Sequence, residues 1–87
     1  MASIRDLKQD INYVLGDIIE AALISQAAQP EKEAEAEKII DDSIATFDDL
    51  IARVNDKKVE NRSAHLKQVR ADLETKGAAL IERVNNL

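Results

Sequence analysis

The chain has no cysteine and no tryptophan, and its 87 residues include one proline, two glycines, one tyrosine and one phenylalanine. Without thiols, neither a disulfide nor a thiolate metal site can stabilise the fold. Two aromatic residues are too few for a base-stacking platform, and there is no glycine-rich phosphate loop. The stability of this chain must therefore come from the burial of aliphatic side chains.

Long hydrophobic runs and an excess of positive charge are also missing. Apolar runs such as Val14-Leu15 are far shorter than the roughly 20 residues needed to cross a bilayer. The net charge of −5 opposes binding to nucleic acid or to anionic membrane surfaces. Charged residues begin at Arg5, which does not fit an export signal. We therefore expect a cytoplasmic protein that contacts neither nucleic acid nor membrane.

An apolar residue recurs every three or four positions through three segments of similar length, which is typical of amphipathic helices. A chain of this size can build one compact core. We predict a single domain over residues 1–87, with helices at about 4–29, 30–55 and 62–86. The predicted core stripes are Ile4, Leu7, Ile11, Val14, Ile18 and Ala21, then Ala36, Ile40, Ile44, Phe47, Ile51 and Val54, and finally Leu66, Val69, Leu73, Gly77, Leu80, Val84 and Leu87.

Two connections separate these helices. Pro30 ends the first helix and opens the second, because proline disfavours the helical conformation of the preceding residue but suits a first turn. Asn55 is predicted to end the second helix in the left-handed conformation, Asn61 or Ser63 to cap the third, and Ser3 to cap the first. Short connections make consecutive helices antiparallel. The predicted fold is an all-α, antiparallel, up-down-up three-helix bundle that can dimerise.

Charge is distributed unevenly between the helices. Residues 30–56 contain three basic and nine acidic side chains, whereas residues 57–87 contain seven basic and four acidic ones. This asymmetry predicts ion pairs between the second and third helices.

Glu33, Glu37 and Asp41 repeat at a spacing of four, which places three carboxylates on one helical face. A carboxylate-bridged metal site in a bundle would also need Glu-x-x-His motifs on partner helices, and the chain has none. We therefore interpret these residues as a solvated acidic face and predict no metal and no cofactor. Docking of this face onto a basic partner is a further possibility.

The single histidine lies in SAHLK at residues 63–67. This segment resembles, in outline, the phosphoacceptor region of histidine-phosphotransfer domains, which are helical bundles with an exposed histidine followed by leucine and a nearby lysine. That family places the lysine one position later than Lys67 and a glycine just beyond it, where Gln68 stands here, and its bundle has four helices. The resemblance implies a phosphotransfer carrier at His65, with Lys67 and Arg70 near the phosphoryl group, as the alternative function.

A second resemblance covers nearly the whole chain. It depends on SIRDLKQDINY at residues 3–13, QPEK at 29–32 and LIERV at 80–84. These segments resemble a family of small, uncharacterised bacterial all-helical proteins. The resemblance implies a three-helix fold and no established activity, so it assigns no functional residues.

The first helix has more apolar residues than one stripe needs. Leu15, Ile19, Leu23 and Ile24 lie outside it and form the predicted interaction face. One histidine without strand-turn geometry cannot assemble a catalytic triad, so we predict no enzymatic activity. The expected function is a protein-protein interaction or self-association module, with a protein partner or a second copy as its ligand.

Two further residues are assigned structural roles. Gly77 falls within the apolar stripe of the third helix, where its missing side chain would allow a close approach to a neighbouring helix. Tyr13 is interpreted as a boundary residue, with a packed ring and a solvated hydroxyl.

Overall fold

The computed structural model describes residues 4–87, which form three α-helices and contain no strand. The helices are α1 (Ile4–Ala28), α2 (Glu33–Asn55) and α3 (Arg62–Asn85). They pack as a slender bundle of 47 × 20 × 17 Å. Within the described residues, no helix is both long and apolar enough to span a membrane. The predicted cap at Ser3 lies outside the described residues.

Aliphatic side chains from all three helices form the core. Each fully buried leucine, isoleucine or valine contributes about 1.5–3 kcal/mol relative to its exposed state, so these side chains dominate folding. The largest fully buried hydrophobic residues are Leu7, Ile11, Leu15, Leu50, Val54 and Val69.

The buried stripe of α1 is rotated from the predicted one. Leu15 and Ala22 are fully buried, whereas Val14 and Ala21 are only half-buried. Both patterns keep spacings of three and four, and therefore periodicity alone does not separate them. The helix turns the centre of its apolar arc, rather than one edge, toward its two neighbours.

The stripe of α2 is rotated in the same way. Ile39, Ser43 and Leu50 are buried, although they lie beside the predicted stripe and not within it. Ile44, predicted to be buried, is 47% exposed. The hydroxyl of Ser43 donates to the carbonyl oxygen of Ile39 at 2.8 Å, so a polar side chain is accommodated in the core. Phe47 is half-buried against the core.

The stripe of α3 agrees with the prediction. Val69, Leu73, Gly77 and Leu80 are buried, and the other predicted members are half-buried against the core. A β-carbon built on Gly77 would lie 3.1 Å from Cγ1 of Val14, which confirms a close approach of α3 to α1.

The first connection is a tight turn. Residues Pro30–Lys32 form a 3-10 helix, in which the N–H of Lys32 donates to the carbonyl oxygen of Gln29 at 2.8 Å. The helix α2 therefore begins at Glu33 rather than at Pro30, since the chain first turns through this tighter geometry.

The second connection follows Asn55, the last residue of α2. No non-glycine residue among positions 4–87 has a positive φ, so the prediction of a left-handed Asn55 is wrong. The chain instead leaves the helix in an extended conformation at Asp56, with φ −69° and ψ 117°. The side-chain oxygen of Asn61 accepts from the N–H of Ala64 at 3.1 Å, and Asn61 is therefore the cap of α3.

Ion pairs connect α2 with α3. Asp42 pairs with Arg83 at 2.7 Å and Asp49 with Lys76 at 3.6 Å, as the charge asymmetry predicted. A third pair has the opposite polarity and joins Arg53 of α2 to Asp72 of α3 at 2.7 Å. Each pair is partly exposed and contributes about 0–1 kcal/mol, so the pairs align the helices more than they stabilise them.

Candidate functional site

The predicted interaction face does not exist as one surface. Leu15 is fully buried in the core, so its assignment to an exposed face is wrong. It lies one turn before Ile19, on the side of α1 that packs into the bundle. Ile19 is half-buried, whereas Leu23 is 50% and Ile24 63% exposed.

Helix geometry separates the two exposed members of this set. Each residue of an α-helix advances by about 100°, so Leu23 lies about 40° from Ile19 and Ile24 about 140° from it. Leu23 and Ile24 are therefore about 100° apart around α1 and do not form one stripe with Ile19. Neighbours in sequence are poor evidence of a shared face on a helix.

An open apolar groove runs between α1 and α3. It consists of two depressions of about 400 Å³ and about 240 Å³. Val14 and Ile81 line both depressions, which makes the groove continuous. We call it the α1–α3 groove. Its other lining residues are Asp10, Tyr13, Arg70, Leu73, Glu74, Gly77 and Ala78 in the larger depression, and Asp17, Ile18, Ala21, Val84 and Asn85 in the smaller one.

The floor of the groove is deep because Gly77 has no side chain there. Val14 lies opposite Gly77, and the absence of a β-carbon lets the two helices come together below the surface. Two large apolar side chains remain accessible beside this floor: Tyr13 is 59% and Ile81 46% exposed. Exposed apolar side chains that converge on a concave surface are typical of a protein-binding site.

Tyr13 makes a hydrogen bond within α1. Its hydroxyl accepts a hydrogen bond from the side-chain amide of Gln9, one turn earlier, at 3.2 Å. The ring remains accessible, so Tyr13 combines a large apolar surface with a hydrogen-bonding group, as residues at interfaces often do.

The charged side chains of the groove are mainly acidic. The carboxylate of Asp10 and the guanidinium of Arg70 pair across the groove at 3.1 Å and neutralise each other. Asp17 on α1 and Glu74 on α3 have no ion-pair or hydrogen-bond partner among the described side chains. The groove therefore has two unpaired carboxylates, one on each wall.

Two further exposed apolar residues, Leu23 on α1 and Ile44 on α2, do not line the α1–α3 groove. Ile44 follows Asp42 by two residues and therefore lies about 160° away from it, on the side of α2 opposite the ion pair with α3. We call Leu23 and Ile44 the α1–α2 surface.

His65 has a structural partner. Its Nε2 atom lies 2.6 Å from the main-chain oxygen of Arg53, and the side chain is half-buried. Because a carbonyl oxygen can only accept, Nε2 must carry the proton. Arg53 lies in the last turn of α2, and its carbonyl oxygen also accepts a hydrogen bond from the N–H of Asp56 at 3.3 Å. The side chain of His65, from α3, therefore adds a second hydrogen bond at the end of α2.

The structure does not bring the three residues of the phosphotransfer alternative together. Lys67 follows His65 by two residues and therefore lies about 160° around the helix from it. Arg70 is already paired with Asp10. No cation from this set stands beside the imidazole.

The acidic face of α2 is open to solvent. Glu33, Glu37 and Asp41 are all exposed. Within residues 4–87, no group of three or more histidine and acidic side chains has a geometry that could hold a metal ion. The carboxylates of this face are spread along the helix rather than gathered around a point.

The sequence alone did not reveal the α1–α3 groove. Ile81 gave the stronger signal, since it is a large apolar residue next to Leu80 and outside the stripe of α3. Tyr13 gave a weaker one. Neither residue indicated that the two would flank the same depression, because that depends on how α1 and α3 are paired.

Comparison of the chain with protein-family models, with curated proteins and with solved structures finds no match. The resemblance to small bacterial all-helical proteins therefore stays a prediction.

Proposed function

We propose that this protein is a non-enzymatic interaction module that binds an amphipathic helix of a partner protein in the α1–α3 groove. The observation that supports this most strongly is the continuous apolar groove flanked by exposed Tyr13 and Ile81. Helices dock into such grooves with apolar residues spaced three and four positions apart.

We further infer that the helices run up, down and up. Along α2, Asp42, Asp49 and Arg53 occur in rising order. Their partners on α3 occur in falling order, namely Arg83, Lys76 and Asp72. This supports an antiparallel arrangement of α2 and α3.

The residues of α1 and α3 that contact each other follow the same order along both helices. Asp10 pairs with Arg70, and Val14 lies against Gly77. This supports a parallel arrangement of these two helices. A helix seated in their groove would contact both and complete a four-helix bundle.

The expected affinity is moderate. Each apolar side chain that becomes fully buried contributes about 1.5–3 kcal/mol, but association costs roughly 4–15 kcal/mol in lost freedom of motion. Four anchors at the upper figure and the lowest association cost leave about 8 kcal/mol, so a Kd of about 1 μM is the tightest binding that we expect.

The test uses fluorescence anisotropy with two labelled three-heptad peptides. Both have leucine at the a and d positions, and at e and g one has lysine and the other glutamate. Binding of either peptide supports the proposed function. Ile81→Glu should weaken binding at least about tenfold, because it places a charge in the groove. Ile44→Glu is the matched control, since Ile44 has almost the same exposure but lies outside the groove.

The proposal fails if neither peptide binds, or if the two substitutions weaken binding equally. Circular dichroism of both variants shows whether each remains helical, so a loss of binding can be separated from a loss of fold.

Self-association through the α1–α2 surface is a second candidate function. It is supported by the exposure of Leu23 and Ile44 on adjacent helices. Light scattering over an about hundredfold concentration range should show a dimer, and Leu23→Glu with Ile44→Glu should convert it to a monomer. A wild-type monomer at every concentration would reject this candidate.

A further inference from the structure

We propose that the partner helix of the α1–α3 groove has basic residues on both flanks of its apolar stripe. This rests on the proposed function of the groove and specifies the chemistry of the ligand. The occupant is thus a basic amphipathic helix of another protein.

The charges that would recognise it are those without a partner among residues 4–87. The side chains of Asp10 and Arg70 satisfy each other at 3.1 Å and leave little net charge. Asp17 and Glu74 remain, on opposite walls of the groove. A helix between these walls would present residues from both flanks of its apolar stripe, at the positions called e and g in a heptad.

The two carboxylates also stand at different points along the groove. Glu74 lines the larger depression and Asp17 the smaller one, and Ile81 lines both. Val14 lies against Gly77. Asp17 is three residues beyond Val14 and Glu74 is three residues before Gly77, so the two carboxylates are about 9 Å apart along the groove. We therefore expect two basic positions about two turns apart, one on each flank. The long side chains of lysine and arginine can reach such carboxylates while their stems cover apolar surface.

A second copy of this chain is a poorer occupant of the groove. The chain has a net charge of −5, and the copy would bring the same unpaired Asp17 and Glu74 to the contact. Like charges brought together in an interface oppose association. Charge complementarity therefore favours a different, positively charged partner.

The experiment compares the lysine and glutamate peptides described above, at about 20 mM and about 300 mM salt. We expect the lysine peptide to bind about tenfold more tightly at low salt, with a smaller advantage at high salt where surface charges are screened. Asp17→Asn with Glu74→Gln should remove most of this preference. The control, Glu37→Gln with Asp41→Asn, changes the net charge equally on the exposed face of α2 and should leave the preference intact.

The outcomes separate this inference from the proposed function. If both peptides bind equally well, the groove binds helices but does not select basic ones, and the inference is overturned. If the control pair removes the preference as fully as the groove pair does, bulk charge explains the selectivity and the inference is again overturned. If neither peptide binds, the proposed function itself fails.

Discussion

A β-carbon added at Gly77 would lie 3.1 Å from Cγ1 of Val14, so the side chain of Val14 on α1 occupies space that any larger residue at this position of α3 would need. Gly16, the other glycine, has no atom within 4 Å of the equivalent position. The two glycines therefore occupy the same kind of helix interior but opposite packing environments, and they form a matched pair for mutation.

Gly16→Ala should stabilise the protein by about 0.5–1 kcal/mol, because alanine loses less backbone entropy in a helix and meets no obstacle here. Gly77→Ala should give no gain, or a loss of up to about 2 kcal/mol, since the added methyl group presses on a side chain whose χ1 is stiff. Urea unfolding measures both. Equal stabilisation by the two substitutions would show that the helices do not meet closely at Gly77.

His65→Ala should destabilise the protein by about 1 kcal/mol, because it removes the shorter of the two hydrogen bonds to the carbonyl oxygen of Arg53 and leaves only the one from the N–H of Asp56. Lys67→Ala is the control; its side chain is exposed and should change stability by less than about 0.5 kcal/mol. Thermal and urea unfolding report the difference. Equal losses of stability for the two substitutions would show that the hydrogen bond of His65 does not stabilise the end of α2.

The same hydrogen bond bears on the phosphotransfer alternative. Since Nε2 is hydrogen-bonded to the main chain, Lys67 lies on another side of the helix and Arg70 is paired with Asp10, we expect incubation with acetyl phosphate to give no acid-labile phosphoryl adduct in the intact mass. An adduct that disappears in His65→Ala would reinstate that alternative.

Asp72 should make the stability depend on pH in the acid range. The hydrogen bond from Arg53, followed by one from Gln68, lowers the pKa of Asp72 below its ordinary value of 3.8. A carboxyl group whose folded pKa is depressed contributes stability above its unfolded pKa and loses it as the pH falls through the folded pKa. The contribution is thus complete at neutral pH and is lost below about pH 4.

Asp72→Asn should therefore be less stable than the wild type at neutral pH, and this difference in stability should shrink as the pH falls through the lowered pKa of Asp72. Asp41→Asn is the control, because Asp41 is exposed and has no ion-pair partner among the described residues. A gap for Asp72→Asn that does not change with pH would mean that the carboxylate contributes through packing rather than charge.

The sequence predicted the positions of the helices well, but it predicted less well which face of each helix is buried. The stripe of α3 is narrow, and its buried residues are therefore those that the spacing indicates. The apolar arcs of α1 and α2 are wide, and a wide arc fits a stripe through Val14 or one through Leu15 equally well. The choice between them is made by the two neighbouring helices together.

The spacing of apolar residues could not predict the candidate site, for the same reason. The α1–α3 groove exists because Gly77 and Val14, from the two ends of the chain, come together. The capping contact of His65 with Arg53 likewise spans the second connection. Spacing within one helix describes which residues share a face, but it contains no information on which faces of different helices meet.

The most direct test of the proposed groove is a two-dimensional amide NMR spectrum of the labelled protein, recorded during titration with the unlabelled lysine peptide. We predict that the largest shifts occur at Val14, Gly77 and Ile81, with Leu23 and Ile44 unchanged. Shifts centred on Leu23 and Ile44, or no shifts at saturating peptide, would contradict the assignment of the α1–α3 groove as the binding site.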